Sequence, residues 1–159
     1  MVEFAIILPL LIMLLFGITE LGRALFQQNS LYKAVESGAR YLSRSSATLG
    51  EAAVCPSTEA DANWATRVTE ATNLIVYGTA TVSGSPIPLL PHLNDSNVIS
   101  IDTVTRTLTK SDDETVPVCV IAVTATVPFV GLFGEIAIPF TTIEAFSLRA
   151  ETEERYIGL

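Results

Sequence analysis

The side chains of this chain that could carry chemistry are few and lie far apart. There are two cysteines, Cys55 and Cys119, and one histidine, His92. A zinc site needs about four ligands at a recognisable spacing, which these three residues do not provide. The sequence also lacks the motifs of serine hydrolases, zinc peptidases, phosphate-binding loops and dinucleotide-binding loops. We therefore predict no catalytic, cofactor-binding or metal-binding residues, and a protein that is not an enzyme.

The two cysteines have two interpretations. In an exported domain, Cys55 and Cys119 would form one disulfide, which restricts the unfolded chain and adds roughly 3–4 kcal/mol of stability. In a cytosolic protein they would be buried free thiols. The apolar N-terminal segment described below favours export, and therefore the disulfide.

Acidic side chains are concentrated after the first 44 residues. Residues 45–159 carry five basic and fourteen acidic side chains, a net charge of −9. A domain of this charge repels phosphate backbones, so we predict no nucleic-acid partner. The acidic run Asp112–Glu114 could hold a hard cation such as calcium, but its spacing fits a solvated turn better. The three glutamates within Glu151–Glu154 are interpreted as a solvated acidic tail.

The chain begins with an apolar segment. From Phe4 to Thr19 there are 16 consecutive uncharged residues, nearly all large and apolar. A membrane-spanning helix needs about 20 such residues, and Leu21 and Gly22 extend the run. Pro9 is tolerated inside a spanning helix. Because the segment opens with an acid and ends without a good cleavage site, we predict that it is a retained transmembrane segment rather than a cleaved signal.

Helical periodicity continues beyond the apolar segment to Arg44. Residues 20–44 contain no proline, and a helix over residues 4–44 would be about 60 Å long. The apolar side chains that recur at helical spacing form a stripe, which consists of Leu21, Leu25, Tyr32, Val35, Ala39 and Leu42.

The acid at the start of the apolar segment, Glu3, has two interpretations. It could be a solvated charge just outside the bilayer, close to the positive end of the helix dipole. It could instead be a carboxylate in an apolar setting, which would require a pairing partner.

The remaining residues predict a small α+β head domain. Ser57 or Thr58 would cap a second helix that ends at Gly78, with Trp64 as a core anchor. Alternating β-branched residues predict strands over 97–109, 116–127 and roughly 137–150. On the first two strands, the side chains predicted to share one face are Ile99, Ile101 and Thr103, and Cys119, Ile121, Val123 and Ala125.

The short connections between these strands favour an antiparallel sheet. We thus predict a long N-terminal helix over residues 1–44, transmembrane at its start, and an acidic extracytoplasmic head over residues 45–159. The loop before the third strand is unusually apolar and includes Phe129, Leu132 and Phe133. It could fold back under the sheet, or it could dock on another subunit or on the membrane surface.

Two stretches of the sequence resemble a known family. The opening VEFAIILPLLIMLLFGITELGRAL, followed by AVESGARYLSR, resembles the TadE-like pseudopilins of the tight-adherence (Tad/Flp) branch of type IV pili. The later stretch ATVPFVGLFGEIAIPFTTIEAFSLRAE is similar to the C-terminal end of that family. The resemblance covers about residues 2–44 and 116–151.

This resemblance implies a route to a filament. Members of the family are made with a short basic leader, which a prepilin peptidase removes on the cytoplasmic side of the bacterial inner membrane. Assembly machinery then extracts the helix, and an acid near its start pairs with the N-terminal amine of a neighbouring subunit. Glu3 matches that acid by motif, although it is the third residue here and usually the fifth in the family.

The expected function is that of a pilin-like structural subunit, which is inserted in the inner membrane and then assembled into an extracellular filament of pilin subunits on the cell surface. The alternative is a membrane-anchored extracytoplasmic assembly or binding factor of the pilus or secretion machinery. The residues expected to mediate subunit assembly are Glu3, Phe4, Ile7, Leu11, Leu14, Leu21 and Leu25.

Overall fold

A computed structural model describes residues 2–45, 62–93, 99–111, 113–131, 137–138, 141–142 and 146–157. Within these residues, two helices are followed by five strands. The elements are α1 (Val2–Arg44), α2 (Ala62–Tyr77), β1 (Ile99–Thr109), β2 (Thr115–Pro128), β3 (Ala137–Ile138), β4 (Thr141–Thr142) and β5 (Ser147–Arg155).

The long helix predicted over residues 4–44 is confirmed. α1 contains 43 residues and continues through Pro9, which corresponds to about 64 Å at 1.5 Å per residue. Its two halves have different surroundings. The described side chains from Phe4 to Thr19 are all exposed, whereas Leu31, Val35, Ala39 and Leu42 are fully buried. One continuous helix thus belongs to the head at one end and projects from it at the other.

The packed half of α1 differs in one respect from the predicted stripe. Val35, Ala39 and Leu42 are buried as predicted, but Tyr32 is 48% exposed and Leu31 occupies the core instead. The head contacts a face centred on Leu31, Val35 and Leu42, and Tyr32 lies at the edge of that face because successive residues are about 100° apart around a helix.

The second helix packs closely against α1. A Cβ added at Gly38 would overlap Cγ1 of Ile75 and come within 2.6 Å of its Cδ1, so only glycine allows this approach. α2 ends as predicted at Gly78, whose positive φ of 76° lets its N–H donate to the carbonyl oxygen of Leu74 at 2.9 Å. Trp64 is partly buried against the core, as expected of an anchor.

Three strands form an antiparallel sheet in the order β1–β2–β5. Its register confirms the predicted pairing of the first two strands. The opposed residues on the inner face are Ile99 and Ala125, Ile101 and Val123, and Thr103 and Ile121. Ile121, Val123 and Ala125 belong to the same core as the buried side chains of α1 and α2. The predicted α+β class is therefore confirmed, with α1 packed against β2 and β5 and α2 packed against α1.

The end of the sheet differs from the prediction. Residues 137–150 do not form one strand. The short strands β3 and β4 pair with each other, and β5 begins only at Ser147 and continues to Arg155. The glutamates interpreted as a solvated tail therefore belong to β5, where Glu151 is opposite Thr124 and Glu154 is opposite Ile121. Their charge does not prevent pairing with β2, because side chains alternate between the two faces of a strand and Glu151 and Glu153 are exposed to solvent.

Candidate assembly site

The apolar half of α1 is the largest exposed apolar surface of the described chain. The helix is long and apolar enough to span a membrane between Ile6 and Arg44, and its apolar window has no residue buried inside the protein. In a water-soluble helix, apolar side chains face a core along one stripe. Here they surround the whole helix, as expected for a segment that is buried in lipid or among other helices.

The predicted assembly residues lie on this surface. Phe4, Ile7, Leu11, Leu14, Leu21 and Leu25 are between 47% and 64% exposed. Their spacing places them on one side of α1. On other sides, Ile6, Leu10 and Met13 are 66–72% exposed, so the structure does not distinguish the predicted face from the rest. Glu3 lies within α1, but its side chain is outside the described part of the molecule.

A contact with the head marks the end of the apolar half. The side chains of Arg23 (Nη2) and Gln27 (Nε2) donate to the carbonyl oxygen of Val130, at 3.5 and 3.3 Å. The carboxylate of Glu20 lies beside Gly131, where an added Cβ would be only 3.0 Å from Oε2. Polar side chains thus appear on α1 at the level where the loop after β2 meets the helix.

The described part of the candidate docking loop folds back onto the protein. Phe129 is partly buried against the core, and its ring stacks on that of Phe146 with centroids 4.7 Å apart. Its N–H donates to the carbonyl oxygen of Phe146 at 2.9 Å. Leu132 and Phe133 lie outside the described residues, so docking through them stays a prediction.

Cys119 lies in the central strand, where it is 8% exposed and disulfide-bonded. Cys55 lies outside the described residues, and its pairing with Cys119 stays a prediction. The acidic turn is closed by backbone hydrogen bonds between Lys110 and both Asp113 and Glu114, and Lys110 Nζ lies 2.7 Å from Glu114 Oε2. Within the described residues, no group of three or more His, Cys, Asp or Glu side chains could hold a metal ion.

A polar network between the helices was not predicted from the sequence. The Tyr41 hydroxyl donates to Oε2 of Glu70 at 2.5 Å, and Nη1 of Arg67 donates to the same oxygen at 2.8 Å and to the Tyr41 hydroxyl at 3.1 Å. The hydrogen bond from Tyr41, together with that from Arg67, lowers the pKa of Glu70 below its ordinary value of 4.5. The spacing of Arg67 and Glu70 suggests a pair on one helix, but nothing local in the sequence links them to Tyr41.

Comparison with known proteins gives one match. The family model described as TadE-like protein matches residues 1–40 of the 159. The matched segment contains the whole apolar half of α1 and part of the half that packs against the head. No curated protein sequence and no solved structure matches the chain significantly. The match and the apolar helix fit a membrane protein associated with Tad pili, and the resemblance of residues 116–151 to the family remains untested.

Proposed function

We propose that this chain is a pilin-like structural subunit of a Tad-type IV pilus. It is held in the bacterial inner membrane by α1, with its N-terminus cytoplasmic and its head extracytoplasmic, and is then assembled into an extracellular filament. The observation that carries the proposal is the coincidence of the TadE-like match with the exposed apolar half of α1. A simple membrane anchor would not require a helix that continues rigidly into the head.

The energetics of α1 explain why assembly would need a machine. Removing apolar side chains from water contributes about 25 cal/mol per Å². Moving them from lipid into a helix bundle contributes far less, because lipid tails are as apolar as a packed helix. Subunits would therefore remain in the membrane until an energy-consuming apparatus extracts them, and a prepilin peptidase would process the chain beforehand.

Within this proposal, Glu3 sets the register between subunits. In a dry bundle of helices its carboxylate requires an opposing cation, and the N-terminal amine of a neighbouring subunit would provide one. Glu3→Ala and the isosteric Glu3→Gln should both insert normally into the membrane, because loss of a charge favours lipid. Both should be incorporated into pili less efficiently than the wild type. Normal incorporation of both variants would show that Glu3 is only a solvated flank.

The direct test is to locate the chain. An epitope inserted into the exposed turn Ser83–Ser85 of the full chain would be followed after pili are sheared from cells. We expect the tag in the purified filament fraction, and at regular positions when the filaments are imaged. A tag that stays entirely in the inner membrane, while pili form normally, would support the membrane-anchored assembly factor instead.

A further inference from the structure

Two strands of the sheet extend beyond the rest of the head. Thr105–Thr109 of β1 pair with Thr115–Cys119 of β2, and we call this segment the hairpin arm. β5 pairs with β2 only from Val120 onward. All side chains of Thr105–Thr109 are exposed, so this part of β1 has no buried face. A two-stranded hairpin is marginally stable in water, and a docking partner would stabilise it.

The direction of the arm follows from contacts between α1 and β5. Gln28 Nε2 donates to the carbonyl oxygen of Arg149, and the N–H of Ile157 donates to that of Ser43. These contacts are separated by about 22 Å along α1 and about 26 Å along the strand, so the two elements run side by side.

Cys119 lies near the end of α1. Its carbonyl oxygen accepts from the N–H of Tyr156, whose hydroxyl donates to the carbonyl oxygen of Ser45 at 3.0 Å. Asp113 lies six positions before Cys119 in the chain, which corresponds to about 20 Å of extended chain. The tip of the arm therefore extends about 20 Å beyond the end of α1, on the side opposite the membrane segment.

The tip is acidic. The turn contains one basic residue, Lys110, and the three acids of Asp112–Glu114. Lys110 pairs with Glu114, and the side chain of Asp113 is exposed at the end of the arm.

A basic cleft lies between the two helices of the head. It has a volume of about 480 Å³ and is lined by Ser37, Arg40, Tyr41, Arg44, Ser45 and Arg67. Three of the nine basic residues of a chain with net charge −8 thus lie around one cleft. Guanidinium groups gathered around a cleft provide hydrogen-bond donors that suit an anion.

The arginines of the cleft have capacity for an external carboxylate. Arg40 pairs with Glu36, and Arg67 pairs with Glu70. Each guanidinium carries five N–H donors, so these pairs leave donors unused. The hydroxyls of Ser37 and Ser45 already donate to the backbone of α1. The groups of the cleft that remain available to bind a ligand are therefore guanidinium groups, which bind carboxylates through paired hydrogen bonds.

We propose that the acidic tip of the hairpin arm of one copy binds in the arginine cleft of a second copy of this chain. The acceptor copy would be displaced by about 25 Å along α1, since the tip extends about 20 Å beyond the helix and the cleft lies about one turn before its end. Helices of about 64 Å would then still overlap over about 40 Å. At this offset the apolar half Phe4–Thr19 of one copy, about 24 Å long, lies beside the C-terminal half of α1 of the other copy, so contacts between apolar halves would join other pairs of copies. The arm contact sets the axial offset of the pair that it joins. The proposed arm contact rests on the proposed function only in requiring that copies of the chain assemble.

The test is site-specific photo-crosslinking in cells that produce the full chain. A photoreactive amino acid replaces Ser111 at the tip, and two copies with different epitope tags are co-expressed. We expect a crosslinked product that carries both tags, with the adduct mapped to residues 37–45 or to Arg67. The same amino acid at Ile87, which is 86% exposed on another loop, should give less than about a tenth of that product. Adducts from Ser111 that map elsewhere on the second copy, or only to other proteins, would overturn the proposal.

Charge-neutralising variants provide the second measurement. Arg44→Gln is at an exposed position, and Asp113→Asn keeps a residue that tolerates the positive φ of 59°. Each should lower the Ser111 crosslink yield about fivefold, as for the loss of an ion pair. If the two side chains meet, the double variant should lower it little further. Yields unchanged in both single variants would overturn the proposal.

A crosslinker at Leu11 separates this inference from the proposed function. Copies that crosslink through Leu11 but not through Ser111 would retain assembly through α1 and exclude the arm contact. Copies that crosslink through neither position would contradict both proposals.

Discussion

The two halves of α1 have the same secondary structure and opposite surroundings. From Phe4 to Thr19 the helix is apolar on every side and its described side chains are exposed, whereas from Leu31 to Leu42 one apolar face is buried. The packed half is amphipathic because its partner, the sheet and α2, occupies one side only. The exposed half is apolar all round, so its surroundings must be apolar on every side.

Burial within one chain therefore does not by itself indicate the function of a helix. The packed half contributes to the stability of a single copy. The exposed half contributes nothing to that stability. It is available to contact lipid and, in our proposal, the helices of neighbouring subunits. Substitutions in the two halves should therefore affect different measurements.

The largest expected effect concerns the whole filament. If apolar halves of α1 hold subunits together, molar salt should leave filament lengths unchanged, because apolar packing does not depend on charge screening. A mild detergent should shorten or dissolve the filaments, because it offers the helices an equally apolar environment. Lengths measured by electron microscopy after each treatment test this. Dissociation in salt together with resistance to detergent would show that contacts between heads hold the polymer.

The same salt treatment also tests the contact made by the hairpin arm. A contact between Asp113 and the arginine cleft is exposed and ionic, so molar salt should weaken it. The crosslink from Ser111 should then decrease in salt while filament length and the crosslink from Leu11 persist.

The next effect compares one leucine from each half. Leu42 is fully buried, and Leu42→Ala should lower the free energy of unfolding by about 2–5 kcal/mol. Leu11 is 47% exposed, and Leu11→Ala should change it by no more than about 0.5 kcal/mol. Urea unfolding of the full chain in detergent micelles, followed by fluorescence of Trp64, measures both. Equal losses would mean that the apolar half also packs against the head.

Two glycines of α1 give a smaller and more specific contrast. Gly38→Ala should destabilise the head by about 1–3 kcal/mol, because the new methyl group overlaps the side chain of Ile75. Gly22 has nothing within 4 Å, so Gly22→Ala should leave the head unchanged or stabilise the helix by up to about 1 kcal/mol. The same unfolding experiment distinguishes them, and a stabilising Gly38→Ala would contradict the close approach of the two helices.

Local patterns in the sequence were sufficient to predict α1, the end of α2, and the antiparallel pairing of β1 with β2. Periodicity and alternation determine these features within a few residues along the chain. They were not sufficient for β5, where Glu151 and Glu153 suggest a solvated tail and only the ladder with β2 makes them a strand. They also placed Tyr32 in the core in place of Leu31, because the packed face depends on how the sheet approaches the helix.

Only part of the candidate site, likewise, could be predicted from the sequence. The apolar half of α1 could be predicted because 16 consecutive uncharged residues are a local property. The arginine cleft could not, because Arg67 is brought to Arg40 and Arg44 only by the packing of α2 on α1. The network of Tyr41, Arg67 and Glu70 depends on that same packing.

The smallest expected effect is the pH dependence of this network. The pKa of Glu70 is lowered in the folded chain, first by the hydrogen bond from Tyr41 and then by that from Arg67. The folded state therefore binds this proton less readily than the unfolded state, and the contribution to stability is fully present above about pH 4.5 and is lost as the pH falls through the lower folded value. Glu70→Gln removes the titrating group, so the difference in urea midpoint between wild type and variant should be largest near pH 7 and shrink below pH 4.5. Tyr41→Phe removes the largest cause of the shift and keeps Arg67, so its profile should lie between those of the wild type and Glu70→Gln. A Glu70→Gln profile parallel to the wild type from pH 3 to pH 7 would show that the network does not link the helices in solution.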